Sequence, residues 1–206
     1  MSAHVPELRV IDGGVSGERS EGDLLRAFFE GDGAAFGVLV RRHQDTVYRV
    51  VRRFAKSRED ARDLTQRAFL QALEHAERTQ ARFDGSDGPT PFKAWLLRIA
   101  VNLAKNHARD AGRWAWAQVE SVDVERPQAP GAHEALERKQ AEDLTRRAVL
   151  ALPPRQREVF SLRIDGGLPF AEIARVLDIT EGNAKAHFHY AVKRLKEEVA
   201  KLGGAS

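Results

Sequence analysis

From Leu24 onward the apolar residues recur at intervals of three and four. Leu24, Leu25, Phe28 and Phe29 form a first group, and after Gly31-Asp32-Gly33 a second runs through Phe36, Leu39, Val40, Val47, Val50, Val51 and Phe54. This spacing lines up side chains on one face of an α-helix. Ser57-Arg58-Glu59-Asp60 is a capping-type start, and Ala61, Leu64, Ala68, Phe69, Ala72 and Leu73 continue the period as a third helix. A stretch rich in Gly, Pro, Asp and Ser, Gln80 to Pro91, breaks it. A fourth helix then starts at Phe92 and ends near Ala111-Gly112, with Phe92, Leu96, Ile99, Ala100 and Leu103 as its expected buried stripe.

The remaining pattern divides the chain. Residues 1–22 hold few apolar anchors and read as a mobile tail, and 23–113 form a first helical domain. Residues 114–133, with Pro127, Pro130 and Gly131 and no sustained period, read as a linker. Residues 134–203 form a second domain of shorter segments, Glu134–Leu152, Pro154–Ile164, Phe170–Leu177 and Glu181–Leu202. No alternating strand pattern occurs, so the expected fold is all-α, two small helical domains on a flexible linker.

Charge sharpens this division. The net +3 conceals 17 bases against 11 acids in residues 24–116 and 11 bases against 7 acids in 144–206, separated by an acidic stretch, 117–143, with three bases and seven acids. Two basic blocks are suited to a polyanion, because Lys and Arg displace counterions from phosphates; solvated helix faces are the plainer reading. There is no cysteine, which excludes thiol chemistry, cysteine zinc sites and disulfides. No apolar run reaches the ~20 residues of a membrane helix, and no secretory leader is recognisable, so a cytoplasmic location without membrane insertion is expected.

Phe170 to Lys185 reads as helix-turn-helix. Ala174 is small where two helices approach, Ile173, Leu177 and Ile179 fill the angle between them, and Thr180 can cap the second helix. Asp178 stands where the turn often uses Gly and tolerates the left-handed region moderately well. In such a motif the second helix enters the major groove, which puts forward Thr180, Glu181, Asn183, Lys185, Ala186, His187 and Tyr190, with Arg155, Arg157 and Lys193 holding the DNA backbone. His187 and His189 lie two residues apart and so point to different faces of one helix; no metal site is expected.

With its flanks, Ala151-Leu152-Pro153-Pro154-Arg155-Gln156-Arg157-Glu158-Val159-Phe160 through Ala191-Val192-Lys193-Arg194-Leu195-Lys196, this segment resembles the minus-thirty-five-reading domain of bacterial sigma factors. Asp60-Ala61-Arg62-Asp63-Leu64-Thr65-Gln66-Arg67-Ala68-Phe69-Leu70-Gln71-Ala72-Leu73 and Phe92-Lys93-Ala94-Trp95-Leu96-Leu97-Arg98-Ile99-Ala100-Val101-Asn102-Leu103-Ala104 resemble their N-terminal domain, in the expected order. With no further domain between, the chain is similar to the extracytoplasmic-function class. The resemblance implies a non-enzymatic initiation factor for core RNA polymerase, docking on the clamp helices of the largest subunit and the flap region, with promoter DNA and an anti-sigma protein as further partners. Any membrane tether would run through that anti-sigma partner.

Asp60, Asp63, Leu64, Gln66, Arg67 and Phe69 are the implied polymerase contacts, and Arg67 stands where an acidic residue is usual. Minus-ten recognition and melting are implied for Arg82, Phe83 and Asp84, with Lys93, Arg98, Asn102, Lys105, Asn106 and Arg109 following phosphates. Such a loop could hold an extruded base by stacking and polar contacts. Phe83 is equally readable as core. Trp95 reads as core, and Trp114 and Trp116 fit either role. Residues at His187 and Tyr190 are commonly basic or small in this family, so the promoter sequence does not transfer. The acidic linker fits either an RNA mimic in the polymerase channel or a plain tether. The alternative to a sigma factor is a helix-turn-helix regulator acting without replacing sigma. No Walker loop, paired metal carboxylates or nucleophile–base set is present, so no catalytic residue or cofactor is expected.

Overall fold

The computed structural model describes residues 19–79, 91–114 and 145–203. The expected tail up to residue 18, the loop carrying Arg82, Phe83 and Asp84, Trp116 and the linker beyond residue 114 lie outside the described residues; residue 114 itself, expected to open the linker, still belongs to the helix that begins at Pro91. All regular structure among the described residues is helical.

Helix α1 (Glu21–Phe29) starts two residues before the expected boundary. Ser20 is its N-cap, its hydroxyl accepting from the Asp23 amide, and Leu24 and Leu25 are buried. Asp32 caps α2 (Gly33–Arg52) in the same way. The start of α3 (Arg58–Thr79) is a reciprocal capping box: the Asp60 amide donates to the Ser57 hydroxyl at 2.9 Å and the Ser57 amide donates to the Asp60 carboxylate at 3.2 Å. Helix α4 (Pro91–Trp114) begins with proline at its first helical position, where a missing N–H costs nothing. Together α1 to α4 bury Leu39, Val47, Val50, Leu64, Ala68, Phe92 and Leu96.

The second group comprises a helical stretch α5 (residues 145–150), α6 (Pro154–Ile164), α7 (Phe170–Leu177) and α8 (Glu181–Gly203). Helices α6 and α7 pack on α8. The two groups touch. Helix α4 lies against α7, and α2 approaches α6, so that one cluster of buried side chains runs from Leu24 and Phe92 to Ile173 and Ala184.

This contact corrects the expected stripe of α4. Ile99 and Leu103 are only half-buried, whereas Leu97, Val101 and Ala104 are fully buried beside Phe92, Leu96 and Ala100. A helix covered from two sides buries a wider arc than one packed on a single neighbour.

Candidate nucleic-acid interface

The helix-turn-helix forms as its local chemistry dictates. Helix α7 stops because Asp178 adopts φ 55°, ψ 55°, the left-handed conformation expected of it, and its amide donates to the Ala174 carbonyl. Thr180 then caps α8, accepting from the Asn183 amide at 3.1 Å. Ile173 and Ala184 are fully buried, with Ala174 and Leu177 close to it, which fixes the angle between the helices.

On α8 the outward positions Asn183, Ala186, Tyr190 and Lys193 are all exposed and repeat at three and four, so they form one stripe. Tyr190 is 55% exposed, well above what an aromatic ring needs for packing alone. Glu181 and Lys185 flank the stripe as an ion pair at 2.7 Å, and His187 is half-buried. His189, weighed in the sequence only as a metal ligand, is exposed and meets the Tyr190 ring edge-on at 5.9 Å. Its position three residues from Ala186 was the signal that it borders the reading face.

Arg155 and Arg157, expected to hold the DNA backbone, also bond within the protein. Arg155 bridges the Glu158 carboxylate at 2.9 Å and the Leu177 carbonyl at 3.4 Å, tying α6 to the end of α7. Arg157 donates to the carbonyls of Leu150 and Leu152 and lies over the Phe54 ring at 5.9 Å. Burial pushes its guanidinium below the ordinary arginine value, with Glu158 opposing the shift. Carbonyls at the ends of α5 and α7 lack helical partners, and these guanidinium groups satisfy them.

On α4, Arg98, Asn102, Asn106 and Arg109 are exposed and follow one another at helical spacing, with Arg109 donating to Asn106 at 2.9 Å. Lys93 and Lys105 are half-buried and face the second helical group. Lys105 meets the Glu158 carboxylate at 3.1 Å, and Lys93 lies beside Gly167 and Glu172. The six expected phosphate contacts therefore divide into four open positions and two engaged ones. Trp95 packs on Phe92 at 5.9 Å, in the core role expected for it.

Helix α3 presents a different surface. Leu64 and Phe69 point inward, and Asp60 caps its helix while approaching His107 at 3.7 Å. Asp63, Gln66 and Arg67 are exposed, and Arg67 pairs with Asp63 along the helix at 3.5 Å, a use for the unusual arginine within its own helix. Missed in the sequence were Leu70, 51% exposed, and Leu73, 39% exposed. They border a groove between α2 and α3 whose apolar floor includes Phe36, Val40 and Phe69. The signal was available: Leu70 is an apolar residue off the buried period.

The comparisons agree with this geometry. Residues 39–113 match Sigma-70 region 2 and residues 133–195 match Sigma-70, region 4. The chain is 30% identical over 187 residues to the ECF RNA polymerase sigma-E factor of Escherichia coli, spanning 87% of this chain and 94% of that one. It is 32% identical over 178 residues to the ECF RNA polymerase sigma factor SigM of Mycobacterium tuberculosis, spanning 86% and 84%. The fold is shared with the sigma factor RpoE of Bartonella quintana, solved in complex with the anti-sigma factor NepR, with a TM-score of 0.60 at 21% identity over 80% of this chain and 96% of that one. Two sigma-70 regions in order, on relatives matched almost end to end, place the chain in the extracytoplasmic-function class of the sigma-70 family.

Proposed function

We propose that this chain directs core RNA polymerase to a specific promoter set, reading the minus-ten element with α4 and the loop before it and the minus-thirty-five element with α8. The observation that carries the reading is that one chain holds two outward helix faces suited to DNA and, apart from both, an apolar groove with two exposed leucines. Exposed leucines beside a concave apolar floor are the mark of a protein contact. The clamp helices of the largest polymerase subunit are the occupant we assign to it.

On this reading 23–113 and 134–203 are the two working domains. The α8 stripe enters the major groove, where Asn183 and Tyr190 reach base edges and Lys193 a phosphate. Arg98, Asn102, Asn106 and Arg109 hold the strand that Arg82, Phe83 and Asp84 help to open. The protein has no reaction of its own to catalyse and works in the cytoplasm, where its polymerase is. No described helix is long and apolar enough to cross a membrane. An anti-sigma protein sequesters these surfaces, as NepR partners its relative.

Run-off transcription with purified core polymerase on a promoter library tests this. The intact chain gives specific transcripts, and Leu70→Asp/Leu73→Asp loses both the transcripts and retention on immobilised core. If no transcript forms while the chain alone retains a specific duplex, the protein is a regulator that does not replace sigma.

A further inference from the structure

Phe188 and Tyr190 lie two residues apart on α8 and have different fates. Phe188 stacks on Phe160 of α6 at 6.2 Å and meets Phe170 of α7 edge-on at 5.6 Å, so it belongs to the packing of the second domain. Tyr190 points to another face and is the one large apolar side chain that the described residues of α8 leave exposed. The His189 ring steadies it from one side, at 5.9 Å and 73°. One helical turn earlier Ala186 is exposed as well, whereas the neighbouring alanines Ala184 and Ala191 are fully buried. Ala186 and Tyr190 therefore make a continuous apolar strip, about 6 Å long at a helical rise of roughly 1.5 Å per residue. It sits at the centre of the outward stripe, with the exposed cations Lys185, Lys193 and Arg194 around it.

We propose that this strip reads the C5-methyl groups of thymine, so that the centre of the minus-thirty-five element is specified by carbon contacts. The inference rests on the promoter reading and deepens it: that reading says where α8 lies, and this one says which base it selects. In the major groove the thymine methyl is the one apolar group that a base pair presents, and small or aromatic apolar side chains pack on it. Guanine, by contrast, is recognised by paired cationic donors to its O6 and N7. The centre of this face offers none in that arrangement: Tyr190 is uncharged, His187 is half-buried, and Lys185 is drawn to Glu181 at 2.7 Å. The strip spans about two base-pair steps of roughly 3.4 Å, so Ala186 and Tyr190 meet different pairs. Asn183, one turn nearer the helix start, is suited to the N6 and N7 groups of adenine, and the face as a whole selects A·T pairs.

Selection by such a strip has an attractive and a repulsive part. Covering one methyl with the Tyr190 ring or the Ala186 side chain strengthens binding about fourfold, the effect of one buried carbon group. Cytosine at the same place loses more, because its N4 amino donor would be covered by carbon and left with neither water nor a partner. A preference for thymine over cytosine of roughly tenfold follows, and the methyl alone carries about fourfold of it.

The test begins with duplexes selected from a random pool by the full chain, with and without core polymerase. Selection that requires core bears out the sigma-factor reading, and selection by the chain alone makes the protein a regulator. In either case the strip is tested on the duplex selected, so the two readings fail separately. Each thymine of the element read by α8 is replaced in turn by deoxyuridine, which deletes the methyl and keeps every hydrogen-bonding group. Competition binding should show about a fourfold loss at the thymines facing the strip. Tyr190→Phe keeps that loss, because the ring remains. Tyr190→Ala binds the thymine and deoxyuridine duplexes alike at the pair facing the ring. Truncating an exposed side chain leaves the domain folded, and a general defect would weaken both duplexes equally without erasing their difference. Equal affinity of the parent for thymine and deoxyuridine at every position, or a deoxyuridine penalty that Tyr190→Ala changes at none of them, overturns the proposal, as does a selected element without thymine.

Discussion

Helices α4 and α8 both carry basic and amide side chains at helical spacing, yet their surroundings differ. Along α8, Asn183, Lys185, Ala186, His189, Tyr190 and Lys193 are all open to solvent. Along α4 the same residue types are divided between an open stripe and a face turned to the second domain, where Lys105 meets Glu158. A lysine on a helix thus has no fixed role; the element packed beside it decides between phosphate and carboxylate.

The sharpest way to break this difference is to remove the carboxylate. Glu158 sits between Lys105 of one domain and Arg155 of the other, at 3.1 and 2.9 Å. Glu158→Ala leaves two cations without their buried partner and also frees Arg155 from its place at the Leu177 carbonyl. A loss of about 3 kcal/mol in the stability of the second domain is expected, measured by urea unfolding. Lys105→Ala, which leaves Arg155 on Glu158, should cost less than half of that. Equal losses would show that the interdomain pair and not the local one dominates.

How much of this was legible follows from how local each feature is. Ser57 with Asp60, Thr180 and Asp178 act within a few residues of themselves, and caps and turn were readable in the sequence. So was the stripe of Asn183, Ala186, Tyr190 and Lys193, because helical period alone brings it together. The carbonyl partners of Arg155 and Arg157 were not legible, because a guanidinium near a DNA-reading helix looks the same in sequence whether it meets a phosphate or a backbone carbonyl. The partners of Arg53 and Lys105 lie 112 and 53 positions further along the chain, at Asp165 and Glu158, and no periodicity reports such a pairing. The buried arc of α4 was drawn too narrow for the same reason: besides α2 and α3, α7 of the other domain also covers it.

The next contrast concerns what each open face reads. Tyr190→Ala on α8 should weaken minus-thirty-five binding by about 1–3 kcal/mol, and mostly for the preferred sequence, because a base-edge contact is lost. Arg98→Ala on α4 should weaken all sequences alike and reduce the slope of log K against log salt by about 1, since one phosphate contact is lost. Competition assays on matched and mismatched fragments across a salt series separate the two. A Tyr190 variant that loses affinity uniformly would make that ring a backbone contact.

The smallest effect belongs to Glu172, on α7 near Lys93 of α4. Burial raises its pKa above the usual glutamate range, with Arg175 and Lys93 pulling it back. An acid whose folded pKa is raised favours the folded state while protonated. That contribution is present below the unfolded value and is lost as pH rises towards the folded one, beyond which the penalty is constant. Glu172→Gln should therefore leave stability unchanged in acid, below the usual glutamate range, once isosteric replacement is allowed for. At neutral pH it should raise stability by about 0.5 kcal/mol, a figure typical of a partly exposed site. Thermal melts of both proteins from pH 3.5 to 7.5 would show the curves diverging as pH rises. Curves that diverge in the opposite sense, with the parent the more stable at neutral pH, would mean that the attraction of Arg175 and Lys93 outweighs burial, and that Glu172 belongs with Glu158 and Asp165 among the carboxylates paired across the domains.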